Sequence, residues 1–523
     1  MIFKNVTVVD GTGADPYVAH VAVRDGMIAA IGPDASGGPA IDGAGLVLAP
    51  GFIDMHAHSD LRLLAEPGHL AKVSQGVTCE VLGQDGLSYA PVDDTTLEQV
   101  RRQIAGWNGD PEGFDWNWRT VGEYLDRLDQ GIAVNACYLV PQGSVRMLVT
   151  GWEDRPATEA ETAEQRRLVA EAMEQGAVGM SSGLTYAPGM YAGTGELVAL
   201  CEVVAALGGF YAPHHRSYGA GALAAYAEMV EVSRRSGCPL HLAHATMNFA
   251  VNKGRAGELL ALLDEAIAGG CDLTLDTYPY LPGSTTLVSL LPGWASEGGP
   301  VRALARLRDP ATAARIRHAM EVEGCDGCHG VPIDWDVIQI SGTGTAALAG
   351  RAGTRVRDFE DFRRLLIDDD LATTILFHAG DEANVQAIMR HPAHTGGSDG
   401  LLAGARPHPR AWGTFPRYLA RYVRELGVLS LQECVAHLTG RPARRLKLDR
   451  RGLVRPGYHA DLVLFDPEAV RDTATFDDPR RPAEGISHVL VSGTPVIEHG
   501  HPTGALPGRA LRRTPQGTTG RGR

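Results

Sequence analysis

The chain has 523 residues, of which 48 are Lys or Arg and 62 are Asp or Glu, so its formal net charge is −14. Hydrophobic residues make up 44% and charged residues 21%, and the 64 Gly and 31 Pro residues are too few for a low-complexity chain. This composition excludes an extended disordered protein, and the acidic balance argues against binding nucleic acid or an anionic membrane surface. The length predicts one large domain with a smaller one, or two to four domains of roughly 100–200 residues.

No export signal or membrane-spanning helix is predicted. The N-terminal run MIFKNVTVVDG is a short apolar stretch that ends at Asp10-Gly11, without the longer apolar core and cleavage site of a signal peptide. The longest apolar stretch, 197–212, is interrupted by Glu202 and by Gly208-Gly209. Eight scattered cysteines do not form a disulfide framework. We therefore expect a soluble, cytoplasmic protein without a membrane partner.

Strand-like runs occupy both ends of the chain. Residues 1–50 contain short apolar runs separated by Asp-Gly and Gly-Pro turns, and residues 445–505 contain similar runs. We expect the two ends to pair into one small β-sandwich domain outside the main domain. The basic, Gly-rich segment 506–523 is expected to be disordered.

The middle of the chain, 51–444, alternates strand-like and helix-like segments. Strands that alternate with helices indicate parallel βαβ units, and eight of them indicate a (β/α)₈ barrel. An insertion at about 283–390, between the last two barrel strands, is expected to form a lid or a small subdomain. The eight predicted barrel strands are 51–54, 76–82, 132–140, 176–181, 208–212, 239–243, 272–275 and 395–398.

Histidines and one aspartate recur at the ends of these predicted strands. His56 and His58 form an H-x-H pair at strand one, and residues i and i+2 of a strand share a face. His214 ends strand five, His244 ends strand six and Asp399 ends strand eight. Any one of them alone is more typical of a satisfied polar side chain. Because the active site of such a barrel lies at the carboxyl ends of its strands, the set predicts a metal site, and imidazole suits zinc.

A C-x-x-C-H sequence at 325–329 matches the attachment signal for c-type haem. Such attachment occurs in exported proteins, and nothing in this sequence directs export. We therefore interpret the segment as a surface loop and reject haem.

Several motifs together resemble the amidohydrolase superfamily and, within it, the N-acyl-D-amino-acid deacylases (D-aminoacylases). The resemblance extends from residue 1 to about 505. It rests on GFIDMHAHSD at 51–60, QGVTCEVLGQDGLSYAPV at 75–92, GAVGMSSGLTYAPGMYA at 176–192, TLDTYPYLPGSTTL at 274–287, GGSDG at 396–400 and HPRAWGTFPRYL at 408–419.

The resemblance implies a zinc hydrolase that removes the acyl group from an N-acyl-D-amino acid, a small-molecule substrate. In that family a tight zinc is held by two histidines, matching His214 and His244, and by a cysteine in a G-N-C-G turn. Asp85 occupies the position of that cysteine here, so we expect it to be the ligand, and a carboxylate would also admit manganese or iron. His56 and His58 match a weaker second metal position, which leaves the number of metals open.

Further residues match the family's substrate contacts, namely Tyr186, Tyr278, Ser284 and Arg410, although the tyrosines could equally pack the barrel rim. A guanidinium can grip a carboxylate with two parallel hydrogen bonds, so recognition of a free α-carboxylate by Arg410 is expected. The family often carries lysine where this chain has Thr246. The loss of that cation favours neutral or apolar amino-acid side chains over acidic ones.

Asp399 is the expected catalytic residue, as general base toward water and then general acid toward the leaving amine. Two alternatives remain open at this point. A ring-opening hydrolase of the hydantoinase or dihydroorotase kind usually carries a carboxylated lysine on strand four, where 176–182 has none. A non-catalytic scaffold would have no reason to retain the histidines and Asp399. The oligomeric state is not predicted.

Overall fold

The structure, a computed structural model, describes residues 1–33, 35–36, 38–514 and 517–521. Its strands in these ranges are β1 (Ile2–Val8), β2 (Tyr17–Arg24), β3 (Met27–Ile31), β4 (Ala40–Asp42), β5 (Val47–Pro50), β6 (Phe52–Asp54), β7 (Val77–Leu82), β8 (Asn135–Pro141), β9 (Gly179–Gly183), β10 (Tyr211–His214), β11 (Leu240–Leu242), β12 (Leu273–Thr277), β13 (Gly283–Thr286), β14 (Ile338–Gly342), β15 (Thr374–Phe377), β16 (His394–Gly396), β17 (Leu462–Phe465), β18 (Ile486–Val491), β19 (Thr494–Glu498), β20 (His501–Pro502), β21 (Leu511–Arg513) and β22 (Thr519–Arg521).

The α-helices lie mainly between the barrel strands and in the insertion. Across the described part of the chain, none of them has both the length and the apolar composition needed to cross a bilayer. They are α1 (Arg62–Ala65), α2 (Leu70–Val73), α3 (Asp94–Gln103), α4 (Ala105–Asn108), α5 (Val121–Leu128), α6 (Gln142–Val149), α7 (Glu159–Glu174), α8 (Thr194–Ala206), α9 (Ala222–Ser236), α10 (Ala256–Ala268), α11 (Gly293–Ser296), α12 (Pro300–Arg308), α13 (Pro310–His318), α14 (Phe359–Asp368), α15 (Glu382–Met389), α16 (Arg410–Arg417), α17 (Leu431–Leu438) and α18 (Gly440–Arg445).

Eight parallel strands form the barrel, in the order β6-β7-β8-β9-β10-β11-β12-β16. The last strand meets the first where Met55 N–H donates to the carbonyl of Gly396 at 3.2 Å and where Ala57 bridges Gly400 in parallel. Each of the eight predicted runs corresponds to one of these strands, so the predicted (β/α)₈ barrel is confirmed. The runs were recognisable because strands covered on both faces are mostly apolar along their length, and β7 and β8 are buried throughout.

The two ends of the chain form one nine-stranded sheet. Strand β5 pairs with β1 on one side and, antiparallel, with β17 on the other, with Val47 opposite Phe465. Phe3, Leu48 and Leu462 belong to its buried core. The predicted β-domain built from both termini is therefore present. It adjoins the amino end of the first barrel strand, because β5 leads directly into β6.

The insertion lies between β12 and β16, as predicted. It contains the three-stranded antiparallel sheet β13-β15-β14 and helices α11 to α14. Its own core is formed by side chains such as Leu287, Ile340 and Phe362. The insertion is thus a folded subdomain rather than an extended loop, and its first strand reaches the open end of the barrel.

The prediction of a disordered tail at 506–523 is wrong for the described residues. Strands β21 and β22 pair with each other, and Ala510 and Leu511 are fully buried. The side chain of Arg512 pairs with Asp126 and Asp129 of the barrel. The burial of Ala510 and Leu511 and the ion pairs of Arg512 hold this segment in place. Its basic, Gly-rich composition had suggested disorder.

Candidate active site

All the predicted metal ligands and the predicted base lie at the carboxyl ends of barrel strands. The sequence predicted that the H-x-H pair lies on a strand. In the structure the pair lies instead in a bend after β6. The Asp54 carboxylate accepts the His56 backbone N–H at 3.2 Å, and this local hydrogen bond ends the strand. The set follows the strands in this order: His56 and His58 after β6, Asp85 after β7, His214 at the end of β10, His244 after β11 and Asp399 after β16.

The Asp85 carboxylate lies between four imidazoles. Its Oδ1 is 3.5 Å from His56 Nε2 and 3.4 Å from His244 Nε2. Its Oδ2 is 3.5 Å from His58 Nε2 and 3.4 Å from His214 Nδ1. These separations are too long for strong hydrogen bonds and are closely similar to one another.

This spacing fits donors arranged around divalent cations. Zinc bonds of about 2.1 Å at a tetrahedral angle place two ligand atoms about 3.4 Å apart. Asp85 belongs to two groups of buried donors, and the ligand atoms of each group all lie within 4.8 Å of one another; it joins His214 and His244 in one, and His56, His58 and Asp399 in the other. Asp85 Oδ1 and His56 Nδ1 are buried and find no hydrogen-bond partner within the described part of the chain. The residues present therefore fit a two-cation centre with Asp85 as the shared ligand.

The backbone around these donors is strained. Asp85, His244 and Asp399 have φ angles of 54°, 31° and 48°, a region that non-glycine residues rarely adopt. A Cβ on Gly86 would lie 2.5 Å from the backbone nitrogen of Gly183, so only glycine fits beside Asp85. Such strain is typical of functional sites, where the surrounding structure holds a side chain in an unusual direction.

Thr185 and Tyr218 orient two of the histidines. Thr185 Oγ1 is 2.6 Å from His214 Nε2, and the Tyr218 hydroxyl is 3.0 Å from His244 Nδ1. Each hydroxyl can accept the proton of one ring nitrogen, which leaves the lone pair of the other nitrogen, beside Asp85, free to bind a cation. Sequence reasoning missed both residues, because neither lies at a predicted strand end with a metal-binding side chain.

Asp276 connects strands six and seven beneath the histidines. Its carboxylate is 3.0 Å from His241 Nε2 and accepts the His244 backbone N–H at 2.9 Å. It also lies 3.7 Å from His56 Nδ1. Burial works to raise the pKa of Asp276, but the hydrogen bond to His241 and the nearby His56 imidazole hold it well below its usual range. Asp276 lies within the segment TLDTYPYLPGSTTL, but no sequence pattern separates it from the residues of the barrel core.

A buried ionic network lies behind the H-x-H segment. Lys72 Nζ is 2.5 Å from Asp54 and 3.0 Å from Glu80, with all three side chains inaccessible to solvent. Lys72 also donates to Ser398 Oγ at 2.7 Å, and Glu80 is 2.8 Å from His69 Nε2. Since Asp54 caps His56 and Ser398 precedes Asp399, this network fixes both segments. A lone lysine between apolar residues gave no sequence signal for this role.

Asp399 lies between His58 and Arg410. Its Oδ1 is 3.2 Å from His58 Nε2 and its Oδ2 is 2.9 Å from Arg410 Nη2. Burial works to raise the pKa of Asp399, but Arg410 and then His58 hold it below its usual range. The carboxylate is therefore ionised at neutral pH, as a base toward water requires.

A cavity with an open volume of about 700 Å³ lies over these donors. Tyr186, Tyr278 and Ser284 line it, as expected of substrate contacts, whereas Arg410 is fully buried and packs 4.4 Å from the Tyr278 ring. Burial raises the pKa of Tyr278 to about 12. Among the described residues, none accepts a hydrogen bond from Nε or Nη1 of Arg410, so the guanidinium keeps donors beyond those it gives to Asp399.

The sequence suggested that the C-x-x-C-H segment is a surface loop, and this interpretation is wrong. Cys328 is buried, and His329 lines the cavity between the rings of Tyr218 and Phe249. Burial, with a smaller effect of His214, lowers the pKa of His329 to about 3, so its ring is neutral. The insertion thus contributes a wall of the cavity.

Comparison with known proteins agrees with this geometry. A sequence profile of the amidohydrolase family matches residues 40–497. The D-aminoacylase of Alcaligenes xylosoxydans xylosoxydans is 36% identical over 517 residues, covering 98% of this chain and 98% of that protein. A solved D-aminoacylase, studied for its binuclear metal centre, matches this chain with a TM-score of 0.82 and 33% sequence identity. The structure of N-acyl-D-glutamate deacylase from Bordetella bronchiseptica, in complex with zinc and a phosphonate inhibitor, matches with a TM-score of 0.83 and 32% sequence identity. Each alignment covers 98% of this chain and 99% of the other.

A barrel alone is shared by many unrelated enzymes. Identity above 30% along nearly the whole of both chains is a much stronger relationship, and it includes the terminal sheet and the insertion as well as the barrel. The chain belongs to the amidohydrolase family and, within it, to the D-aminoacylase family.

Proposed function

We propose that this chain hydrolyses the amide bond of N-acyl-D-amino acids and releases a carboxylic acid and a free D-amino acid. The observation that carries the proposal is the Asp85 carboxylate, shared by four imidazoles and close to the ionised Asp399. The proposed preference for the D-enantiomer rests on the similarity to D-aminoacylase and to N-acyl-D-glutamate deacylase.

His214, His244 and Asp85 would hold one zinc ion, and His56, His58, Asp85 and Asp399 would surround a second, weaker position. When bound, such a cation acts as a Lewis acid on the acyl carbonyl and lowers the pKa of water. Because Asp85 is an oxygen ligand where the family has a cysteine, manganese or iron would also fit this centre.

Asp399 carries the proton transfers. As an ionised carboxylate beside His58, it accepts the proton of the attacking water and then delivers it to the amide nitrogen, which leaves as an amine. Arg410 holds one oxygen of Asp399, so the other oxygen is directed at the donors and the substrate. Tyr278 and Ser284 would position the α-carboxylate, with Arg410 behind the Tyr278 ring, and Tyr186 would contact the acyl carbonyl.

The cavity favours neutral or apolar amino-acid side chains. Among the described residues, no Lys or Arg lines it, and its wall includes Phe249, Leu290 and Phe377. Thr246 bonds to Asn248 at 2.7 Å instead of offering a cation. An acidic substrate side chain would therefore lose its hydration without gaining a charged partner.

The alternatives are less well supported. The fourth barrel strand, β9, has the sequence GMSSG and offers no lysine for a hydantoinase-type centre. A scaffold protein would not need four imidazoles around one buried carboxylate. We also propose a cytoplasmic location, since all eight cysteines are unpaired.

The test is an assay of the zinc-loaded enzyme with N-acetyl-D-leucine, N-acetyl-L-leucine, N-acetyl-D-glutamate and hydantoin. We expect fastest release of D-leucine, slower release of D-glutamate, and little reaction with the other two compounds. Faster opening of hydantoin would contradict the proposal, and a protein that purifies without metal and stays inert with added zinc would support the scaffold.

A further inference from the structure

A second cavity adjoins the catalytic cavity. Its open volume, including its mouth, is about 690 Å³, and the two cavities share Thr185, Tyr186 and Ser289 as lining residues. The chemistry described above does not use it. Its apolar lining side chains include Leu87, Trp107, Trp152, Met190, Val288 and Leu291.

The wall between the cavities lies beside the candidate metal ligands. The Tyr186 hydroxyl bonds to Thr285 Oγ1 at 2.9 Å and so forms part of this wall. The Trp107 ring is 5.4 Å from Tyr186 and 4.8 Å from His58. The second cavity is therefore separated from the candidate metal ligand His58 by about the width of one aromatic ring, that of Trp107.

The charged groups at this cavity neutralise each other. Arg102 pairs with Asp370 at 2.5 and 2.6 Å, and both side chains are largely exposed at the rim. Below the rim the lining is apolar, apart from neutral groups such as Gln103, Thr185, Thr286 and Ser289. A charged ligand would find no unpaired partner here, whereas an apolar chain would replace poorly solvated space.

An N-acyl-amino acid has two arms that diverge from its amide. Tyr278, Ser284 and Thr246, the groups that face the amino-acid arm in the proposed function, all line the first cavity. The acyl arm must leave the reacting carbon in another direction. We infer that the second cavity binds this arm, and that the preferred substrates are N-acyl-D-amino acids with an unbranched apolar acyl chain longer than acetyl.

This inference rests on the proposed function and predicts a chain-length dependence. Each methylene transferred from water into an apolar cavity should raise kcat/KM about fourfold, until the cavity is full. We therefore expect N-hexanoyl-D-leucine to exceed N-acetyl-D-leucine by about 10²-fold in kcat/KM. The measurement is D-leucine release from acetyl, butanoyl, hexanoyl, octanoyl and decanoyl derivatives by the zinc-loaded full-length enzyme.

Two variants locate the effect. Val288→Trp fills the cavity with a larger ring and should lower the hexanoyl-to-acetyl ratio at least tenfold. Trp152→Ala enlarges the cavity and should move the optimum to a longer chain. Val301→Trp is the matched control, because Val301 is 70% exposed on α12 and does not line the cavity; its ratio should equal that of the unmodified enzyme.

The outcomes separate this inference from the function on which it rests. Hydrolysis of N-acetyl-D-leucine with no gain for longer chains, or a ratio that Val288→Trp leaves unchanged, would overturn the acyl cavity alone. Failure to hydrolyse any N-acyl-D-amino acid would overturn the proposed function and the acyl cavity together. A chain-length gain that is reduced by Val288→Trp but not by Val301→Trp would support both.

Discussion

Arg410 Nη2 lies 2.9 Å from Asp399 Oδ2, and neither side chain is more than one-tenth exposed. A buried arginine beside a buried carboxylate keeps that carboxylate ionised and fixes its direction. The pair joins two segments that follow one another at the last barrel strand, the turn after β16 and the start of α16. Arg410 therefore links Asp399, the residue proposed to transfer protons, to the position expected for the α-carboxylate of the substrate.

Replacement of Asp399 tests its role directly. We expect Asp399→Asn to keep the tight metal and to lose roughly 10²–10⁴ in turnover, the usual contribution of a general acid–base group. The measurements are kcat with N-acetyl-D-leucine and zinc content by elemental analysis. Asp477→Asn is a control, since the Asp477 side chain is 95% exposed. Undiminished turnover in Asp399→Asn would remove this residue from the mechanism.

Asp85 should decide both metal content and metal preference. Asp85→Ala should release metal, because the carboxylate shared by the two donor groups is lost. Asp85→Cys should bind zinc and lose affinity for manganese, since a thiolate is a softer ligand than a carboxylate. Equilibrium dialysis against each metal measures this change. Unchanged metal content in Asp85→Ala would show that the ligand assignment is wrong.

Thr185 and Tyr218 should affect the metal without touching it. Loss of a hydrogen bond to the outer nitrogen of a ligating histidine typically weakens metal affinity 10–100-fold. We therefore expect Thr185→Val and Tyr218→Phe each to lower zinc affinity by about that factor, measured by competition with a chelator. Tyr138→Phe is a control for loss of a buried tyrosine hydroxyl, because Tyr138 bonds to Ala90 rather than to a histidine. Equal affinities in all three variants would contradict the orienting role.

Lys72 should stabilise the folded barrel. Lys72→Met leaves Asp54 and Glu80 without their buried cation, and breaking such a pair costs about 3–5 kcal/mol in the free energy of unfolding. Urea denaturation measures this loss. Lys4→Met replaces an exposed lysine of β1 and should change stability by no more than about 0.5 kcal/mol. A similar small change in both variants would mean that the network does not stabilise the fold.

The same network predicts a dependence of stability on pH. Burial works to raise the pKa of Glu80, but His69 and Lys72 lower it from 4.5 to about 2. A carboxylate whose pKa is lowered in the folded state stabilises it fully above its unfolded pKa, and this contribution disappears as the pH falls from 4.5 toward about 2. Removal of Lys72 weakens the lowering, so Lys72→Met should unfold at a higher pH in a circular-dichroism titration. An acid midpoint that does not move would argue against this assignment.

The barrel could be predicted because each of its strands is covered on both faces. A strand such as β7 is then buried throughout and mostly apolar, and the polar residues that follow the strands reach the open end of the barrel. The same rule identified His214, His244 and Asp399 as candidate site residues, because they are polar residues at strand ends. The bend at His56 was not predictable, because it depends on the Asp54 carboxylate and on closure against Gly396.

The remaining parts of the site depend on contacts between distant segments. His329 reaches the cavity from the insertion, and Tyr218 bonds to a histidine 26 residues further along the chain. Neither relationship leaves a periodic pattern in the sequence. The tail was mispredicted for a related reason, since Arg512 is held by Asp126 and Asp129, more than 380 residues earlier.

The pairing of β5 with β17 has a consequence for the chain during its synthesis. Strand β17 begins roughly 410 residues after β5 ends, so a ribosome that adds about 5–20 residues per second needs on the order of 20–80 s to deliver the partner. During that interval one edge of β5 remains open, and an open strand edge is where a nascent polypeptide is most prone to associate with another. Completion of the terminal sheet is therefore a late event in the life of each newly made molecule.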